Sequence, residues 1–305
     1  MKPRYFILAC LALTAALLAW FVSAPKSRFS SAEWQALGLC GDAARGRRMF
    51  FAGGCESCHI TPGQTDPLQL GGGLKLRTPF GSFYPPNISN DRDFGIGAWS
   101  DVDLANALLS GVSSNGEHLY PAFPYTSYQH MTPSDVADLI AFLRTLPAVP
   151  GRPPAHRLHF PFSVRRGIGL WKLLYFENAG LPSDPHQSAE WNLGRYLVEG
   201  PGHCGECHTP RNLLGAMKRH LRLTGAPVPD GKGNAPNLTQ SLAKWTDADI
   251  VEALSSGFTP DGDVLGGGMA GVVRNLAELP KSDLEAIATY LKSLPRLGRP
   301  SSAKP

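Results

Sequence analysis

Two pentapeptides, Cys55-Glu56-Ser57-Cys58-His59 and Cys204-Gly205-Glu206-Cys207-His208, stand 149 residues apart and share the pattern Cys-x-x-Cys-His. They sit in a longer repeat. Gly46-Arg47 recurs as Gly194-Arg195, and Pro86-Asn87-Ile88-Ser89 as Pro236-Asn237-Leu238-Thr239. Trp99-Ser100-Asp101 recurs as Trp245-Thr246-Asp247, and the stretch from Asp135-Val136 to Leu146-Pro147 as Asp283-Leu284 to Leu294-Pro295. Five blocks in one order, at offsets of 146–150, imply two copies of one domain.

The spacing carries chemistry. Two thiols on one helical turn can add to the two vinyl groups on one edge of a porphyrin, and the next residue then aims an imidazole at the iron. Cys-x-x-Cys-His is accordingly the attachment pattern of a c-type haem. A four-cysteine zinc site wants its pairs about 15–20 residues apart, and a thioredoxin-like dithiol wants a βαβ context; neither is present. The expected cofactors are two covalently bound haem c groups, held by Cys55 and Cys58 and by Cys204 and Cys207, with His59 and His208 as proximal iron ligands. Pro86 and Pro236 are candidates to fix those imidazoles through a backbone carbonyl. Arg211 is a candidate partner for a haem propionate.

The copies differ where a sixth iron ligand is expected. Gly266-Gly267-Gly268-Met269 delivers a thioether 61 residues after His208, and Met/His ligation raises a haem potential. In the first copy the equivalent loop, Leu119-Tyr120-Pro121-Ala122-Phe123-Pro124-Tyr125, has Phe123 about where Met belongs. Phe cannot ligate iron. Met131 is the replacement favoured by type, His118 is the alternative, and an open iron is a third option; Met131 aligns with Leu279, which also suits a plain apolar staple.

Each copy reads as helices joined by long loops, as Gly 33 and Pro 27 among 305 residues suggest. Helices are expected over 42–51, 101–110, 133–143, 188–198, 247–256 and 281–293, with Ser100, Thr132, Ser188 and Thr246 as caps. No run of alternating residues calls for a strand. Gly46 and Gly194 are expected to let their helices approach Phe142 and Tyr290. Between the copies, five prolines from Pro147 to Pro161 read as a stiff linker, followed by an apolar segment, 168–176, that reads as a short helix. His156, His159, His186, His203 and His220 read as solvated.

Lys2 and Arg4 precede eighteen uncharged residues, Tyr5–Val22, long enough for a spanning helix and slightly too long for a cleaved signal. Both readings export the rest of the chain. The repeated regions are mildly acidic, net −3 over 40–150 and net −1 over 191–294, which argues against a nucleic-acid-binding face.

Thr78-Pro79-Phe80-Gly81, Pro86-Asn87-Ile88-Ser89, Gly95-Ile96-Gly97-Ala98-Trp99, the loop 119–125 and Cys207-His208-Thr209-Pro210-Arg211-Asn212 together resemble the cytochrome c subunits of membrane-bound periplasmic alcohol, gluconate, sorbitol and fructose dehydrogenases. The resemblance covers about residues 41–294. Two haem motifs stand where that family commonly has three, and the apolar helix is N-terminal where its anchor is usually C-terminal. The fold class implied is all-α: an N-terminal transmembrane or signal segment (1–25), tandem cytochrome c domains (26–148 and 188–295), a Pro-rich linker (149–187) and a tail (296–305). The resemblance implies a periplasmic dehydrogenase as electron donor, and an oxidase, quinone or soluble cytochrome as acceptor, at the periplasmic side of a bacterial inner membrane. The competing reading is a di-haem peroxidase-like enzyme whose first iron is open, and a redox or gas sensor would want an output domain.

Overall fold

The computed structural model describes residues 3–228 and 233–297. The first part contains α1 (Pro3–Val22), α2 (Ser31–Ala36), α3 (Ala43–Ala52), α4 (Cys55–His59), β1 (Leu76–Thr78), β2 (Gly81–Phe83), α5 (Asp101–Ser110), α6 (Tyr125–Tyr128) and α7 (Pro133–Leu143). Then come β3 (Arg157–Leu158), α8 (Gly167–Tyr175), α9 (Ala189–Glu199), α10 (Gly205–His208), β4 (Ala226–Pro227) and β5 (Asn234–Ala235). The chain ends with α11 (Leu238–Ser241), α12 (Asp247–Ser255), α13 (Gly268–Leu276) and α14 (Lys281–Ser293). The tail expected at 296–305 lies, from residue 298 onward, outside the described residues.

The helices begin where side-chain oxygens accept the free amides of the first turn. Asp42 accepts from the amides of Ala44 and Arg45 at 2.8 and 3.0 Å. Ser100 and Thr246 form capping boxes with Asp103 and Asp249, and Ser188 accepts from the Trp191 amide. α5 and α14 coincide with the ranges read from sequence, and the other expected helices agree within one residue at each end.

Helix α3 packs on α7, and α9 on α14. Both pairs close at a glycine. A Cβ on Gly46 would lie 1.9 Å from the Asp138 carbonyl oxygen and 2.8 Å from Phe142 Cβ; on Gly194 it would lie 1.8 Å from the Ala286 oxygen and 2.9 Å from Tyr290 Cβ. Only hydrogen fits at either crossing. One apolar core runs through both halves, with Phe50, Leu109, Val136, Leu197 and Ile250 buried. Reciprocal polar ties flank it: Arg48 forks onto Asp283 at 2.5 and 2.8 Å, and the Tyr196 hydroxyl donates to Asp135.

Two expectations need correction. The chain is mostly helical but not all-α: β1, β2 and β3 form an antiparallel sheet, and β4 pairs with β5. Strands of two or three residues are too short for alternation to register in sequence. The segment 149–187, expected as a stiff Pro-rich linker, packs on the first half. Its strand β3 completes the first half's hairpin, the Asn87 amide donates to the Val149 carbonyl at 2.7 Å, and His156 stacks edge-on against Phe83 and Tyr120 instead of being solvated.

Helix α1 is 20 residues long, about 30 Å at 1.5 Å per residue, and is long and apolar enough to cross a membrane. Its leucines are exposed along its length.

Candidate haem centres

Each Cys-x-x-Cys-His motif forms a single helical turn, α4 in the first half and α10 in the second. Gly54 enters α4 in the left-handed region at φ 56°, which a glycine adopts without strain. The His59 Nδ1–H donates to the Pro86 carbonyl at 2.8 Å, and the His208 Nδ1–H donates to the Pro236 carbonyl at 2.9 Å. A carbonyl only accepts, so each Nδ1 carries the proton and each Nε2 keeps its lone pair for a metal. Burial lowers the pKa of both imidazoles, which keeps them neutral, as a ligand must be. Burial also pushes the Cys55 and Cys204 thiols up to about 12. This donor set, a paired thiol turn followed by a tautomer-locked imidazole, fits covalent haem c at both places.

Behind each histidine a second element repeats that the sequence reading missed. The Gly72 amide donates to the His59 carbonyl at 2.8 Å, and the Gly225 amide to the His208 carbonyl at 2.7 Å. The neighbouring Leu70 and Leu223 carbonyls accept from the Ile88 and Leu238 amides. Both glycines have φ near 70–85°, and a Cβ on Gly72 would lie 2.5 Å from the Pro85 and Pro86 carbonyl oxygens. The signal was present as Leu70-Gly71-Gly72 against Leu223-Thr224-Gly225.

Ahead of the Phe123 and Met269 segments each half carries a two-point ladder. Val112 bridges His118 in the first half and Phe258 bridges Val264 in the second, both at an offset of 146. Leu119 donates to the Gly111 carbonyl, and Leu265 to the Gly257 carbonyl, each at 2.8 Å. The same offset pairs Phe123 with Met269. Met269 is partly buried in the first turn of α13. Phe123 is partly buried and stacks on Tyr128 at 5.5 Å.

Met131 is only 2% exposed, directly before the Thr132 cap; Leu279, 7% exposed, directly precedes Pro280, the residue before α14. It thus has the packing position of an apolar staple. His118 is buried too, and its Nε2–H donates to the Ser23 carbonyl at 2.8 Å, at the end of α1. Arg211 is engaged otherwise than expected: its guanidinium donates to the Gly215 and Glu206 carbonyls at 2.7 and 2.8 Å and forms an ion pair with the Glu206 carboxylate. Burial opposes charge on Glu206, but Arg211 and the Thr126 hydroxyl outweigh it and hold the carboxyl below its ordinary pKa.

The two motifs are linked through the residues around them. Burial raises the Cys58 thiol and proximity to Cys207 raises it further. Tyr128 donates to the Gly53 carbonyl at 3.2 Å, just before the first motif, and stacks edge-on against His203, just before the second. Thr126 and Ser127 of α6 donate to Glu206 in the second motif, while Asn275 of α13 donates to Glu56 and Ser57 in the first. Each half thus latches the other half's motif, the first with the helix that follows Phe123 and the second with the helix that carries Met269.

Comparison with known proteins agrees with this geometry. Residues 43–147 match the cytochrome c family. A "Diheme cytochrome c-type" protein of Cereibacter sphaeroides is 52% identical over 265 residues, covering 85% of this chain and 88% of its own length. The fructose dehydrogenase cytochrome subunit of Gluconobacter japonicus is 37% identical over 83% of this chain and 52% of its own length. The cytochrome c subunit of a quinone-type alcohol dehydrogenase from Gluconacetobacter polyoxogenes is 34% identical over 82% and 55%. The chain spans about half the length of these last two. Taken with the doubled thiol–imidazole turn, these matches place the chain among the di-haem c-type cytochromes, as an electron-transfer protein carrying covalently bound haem c.

Proposed function

We propose that the chain is the electron-transfer partner of a periplasmic dehydrogenase, built as two tandem cytochrome c domains and held at the periplasmic face of the inner membrane by α1. The observation that carries this reading is the pair of cross-half ties, Thr126 and Ser127 on Glu206 of the second motif and Asn275 on Glu56 and Ser57 of the first, with Tyr128 reaching both Gly53 and His203. Two one-electron centres that adjoin form a relay rather than two separate stores. Bound haem c supplies reversible one-electron chemistry. The chain's own part is to attach it through Cys55, Cys58, Cys204 and Cys207, and to hold His59 and His208 as neutral ligands through Pro86 and Pro236. Met269 would supply the second iron's further ligand. At the first, Phe123 stands where Met269 stands, Met131 packs as Leu279 does, and His118 is engaged at α1, so none of these three side chains would ligate the iron strongly. The relatives are cytochrome subunits, and the peroxidase reading finds no support among them. An oxidase, a quinone or a soluble cytochrome receives the electrons.

The test uses the full-length, haem-loaded protein. Pyridine haemochrome analysis should give two haems per chain, as in the di-haem relative. Carbon monoxide added to the reduced protein should shift about half of the haem absorbance. A dehydrogenase with its sugar or alcohol substrate should reduce both haems; failure of every such donor while dithionite reduces them would overturn the partner assignment.

A further inference from the structure

Helix α8 serves neither haem centre, and its inner face is fixed with unusual density. The His118 Nε2–H and the Arg166 Nε–H both reach Ser23, at its carbonyl and its hydroxyl, at 2.8 and 3.1 Å. Arg166 also donates to the Trp20 carbonyl and lays its guanidinium 4.4 Å over the Trp20 ring. Gly169 permits the approach: a Cβ there would lie 2.1 Å from the Ser23 carbonyl oxygen. One turn on, the Lys172 ammonium points inward and donates to the Ser110 and Gly111 carbonyls at 2.6 and 2.8 Å, closing the C-terminus of α5. The end of α1 and the body of the protein are therefore joined through α8 rather than by a loose tether.

The outer face is apolar and uncovered. Leu170, Leu173 and Leu174, spaced i, i+3, i+4, are 42%, 56% and 70% exposed. The Trp171 indole donates to the Leu214 carbonyl, which brings a second pair beside them: Leu213 is 95% exposed and Leu214 is 48% exposed. A soluble surface rarely leaves such a cluster facing water. Its height relative to α1 is marked. Trp20 and Phe21, at the last turn of α1, are exposed aromatics of the kind that sit at the membrane–water boundary. Arg166 stacks on Trp20, so α8 lies at that same level, with the Arg165 and Arg166 cations at its start.

We propose that α8 and the Leu213–Leu214 turn rest on the bilayer surface, with their leucines in the headgroup–acyl boundary. The occupant of this face is phospholipid. The proposal rests on reading α1 as membrane-spanning and extends it: the protein is seated on the membrane as well as anchored in it. A rigid seat holds both haem motifs at one height and one orientation above the membrane, which a bare tether does not.

The test places the photoreactive residue p-benzoylphenylalanine, one site at a time, at Leu173, at Leu13 in the middle of α1, and at Phe258, an equally exposed apolar site outside the patch. Full-length, haem-loaded chain is reconstituted in phosphatidylglycerol–phosphatidylethanolamine nanodiscs, and also irradiated in native membranes. Phospholipid adducts are read by mass. Leu173 should give a lipid yield comparable with Leu13 and about tenfold above Phe258. Lipid adducts at Leu13 but not at Leu173 overturn the seat and leave the anchor standing. Adducts at neither site overturn both. Adducts at Leu173 to another protein in native membranes, without lipid, assign the face to a partner and overturn the proposal.

Discussion

Around His59 and His208 the two halves are nearly superimposable in their hydrogen bonding. Gly72 and Gly225 reach the histidine carbonyls at 2.8 and 2.7 Å, Ile88 and Leu238 reach the Leu70 and Leu223 carbonyls at 3.0 and 2.9 Å, and the imidazoles reach Pro86 and Pro236 at 2.8 and 2.9 Å. Across the centre the backbone still repeats, through the Val112–His118 and Phe258–Val264 bridges, but the residue presented changes from Phe123 to Met269. The hydrogen bonds that fix the imidazoles are the same in both halves, so on the proposed reading the difference would lie in the sixth ligand. On the proposed reading, one scaffold would hold two irons of different ligation behind the same bridges.

The largest expected effect follows from exchanging that one difference. Phe123→Met should give the first centre a thioether and abolish carbon monoxide binding by the reduced protein. Met269→Ala should do the reverse and make both centres bind the gas. Absorption spectra with and without carbon monoxide read both variants. If Phe123→Met still binds the gas at one centre, the ladders do not present these two residues equivalently.

Next in size is the Glu206–Arg211 pair, which has no counterpart in the first half because Ser57 stands at the matching place. The Glu206 side chain is only 10% exposed, so Arg211→Ala strands a nearly buried carboxylate and should cost about 3 kcal/mol in urea unfolding. Pairing Arg211→Ala with Glu206→Gln should recover most of that loss, whereas a guanidinium serving a propionate would leave the two substitutions additive. The pH dependence has a definite sign. Glu206 has a depressed pKa in the folded state, so its contribution is present above the unfolded value of about 4.3 and is lost as pH falls through the folded value. Glu206→Gln should flatten that acid limb.

The helix crossings should respond alike in both halves. Gly46→Ala and Gly194→Ala each put a methyl group inside 2 Å of a carbonyl oxygen and should each cost about 2–3 kcal/mol. A much smaller loss at either position would show that its helix pair can slide apart and that the two cores are not equivalent in rigidity.

What the sequence made legible was what local chemistry forces. Covalent attachment dictates Cys-x-x-Cys-His, the open amides of a helix start dictate Ser100, Thr132, Ser188 and Thr246, and close crossing dictates Gly46 and Gly194. The repeat itself exposed Pro86 and Pro236, since two matching prolines at matching distances needed a common job. Gly72 and Gly225 escaped because their offset, 153, departs from the other blocks and because Gly72 is hidden among Gly71–Gly73. The Arg211–Glu206 pair is not legible in sequence, because Glu206 lies inside the motif and only the turn between them brings it to Arg211. The cross-half latches, Asn275 on Glu56 and Thr126 on Glu206, join residues 219 and 80 positions apart, and no local pattern announces such a pair. β3 was read as linker because its pairing partner, not its own two residues, makes it a strand.

The smallest effect expected tests whether the halves remain equivalent at their edges. Ser100 caps α5 and Thr246 caps α12 with the same box, their oxygens accepting from the Asp103 and Asp249 amides at 3.3 and 3.1 Å. Replacing either by Ala removes one acceptor from an exposed helix start and should cost about 1 kcal/mol. The helices differ in what lies behind the cap. Leu104, Ala105 and Leu109 of α5 are all buried, while in α12 only Ile250 and Ala253 are. A helix held by more of its own face loses less when its end frays. Ser100→Ala should therefore be the milder of the two, by a few tenths of a kcal/mol, and amide exchange in the first turn should rise more in Thr246→Ala. The opposite order would mean that the second half is held at this edge by the groups covering its Met269 segment rather than by the cap.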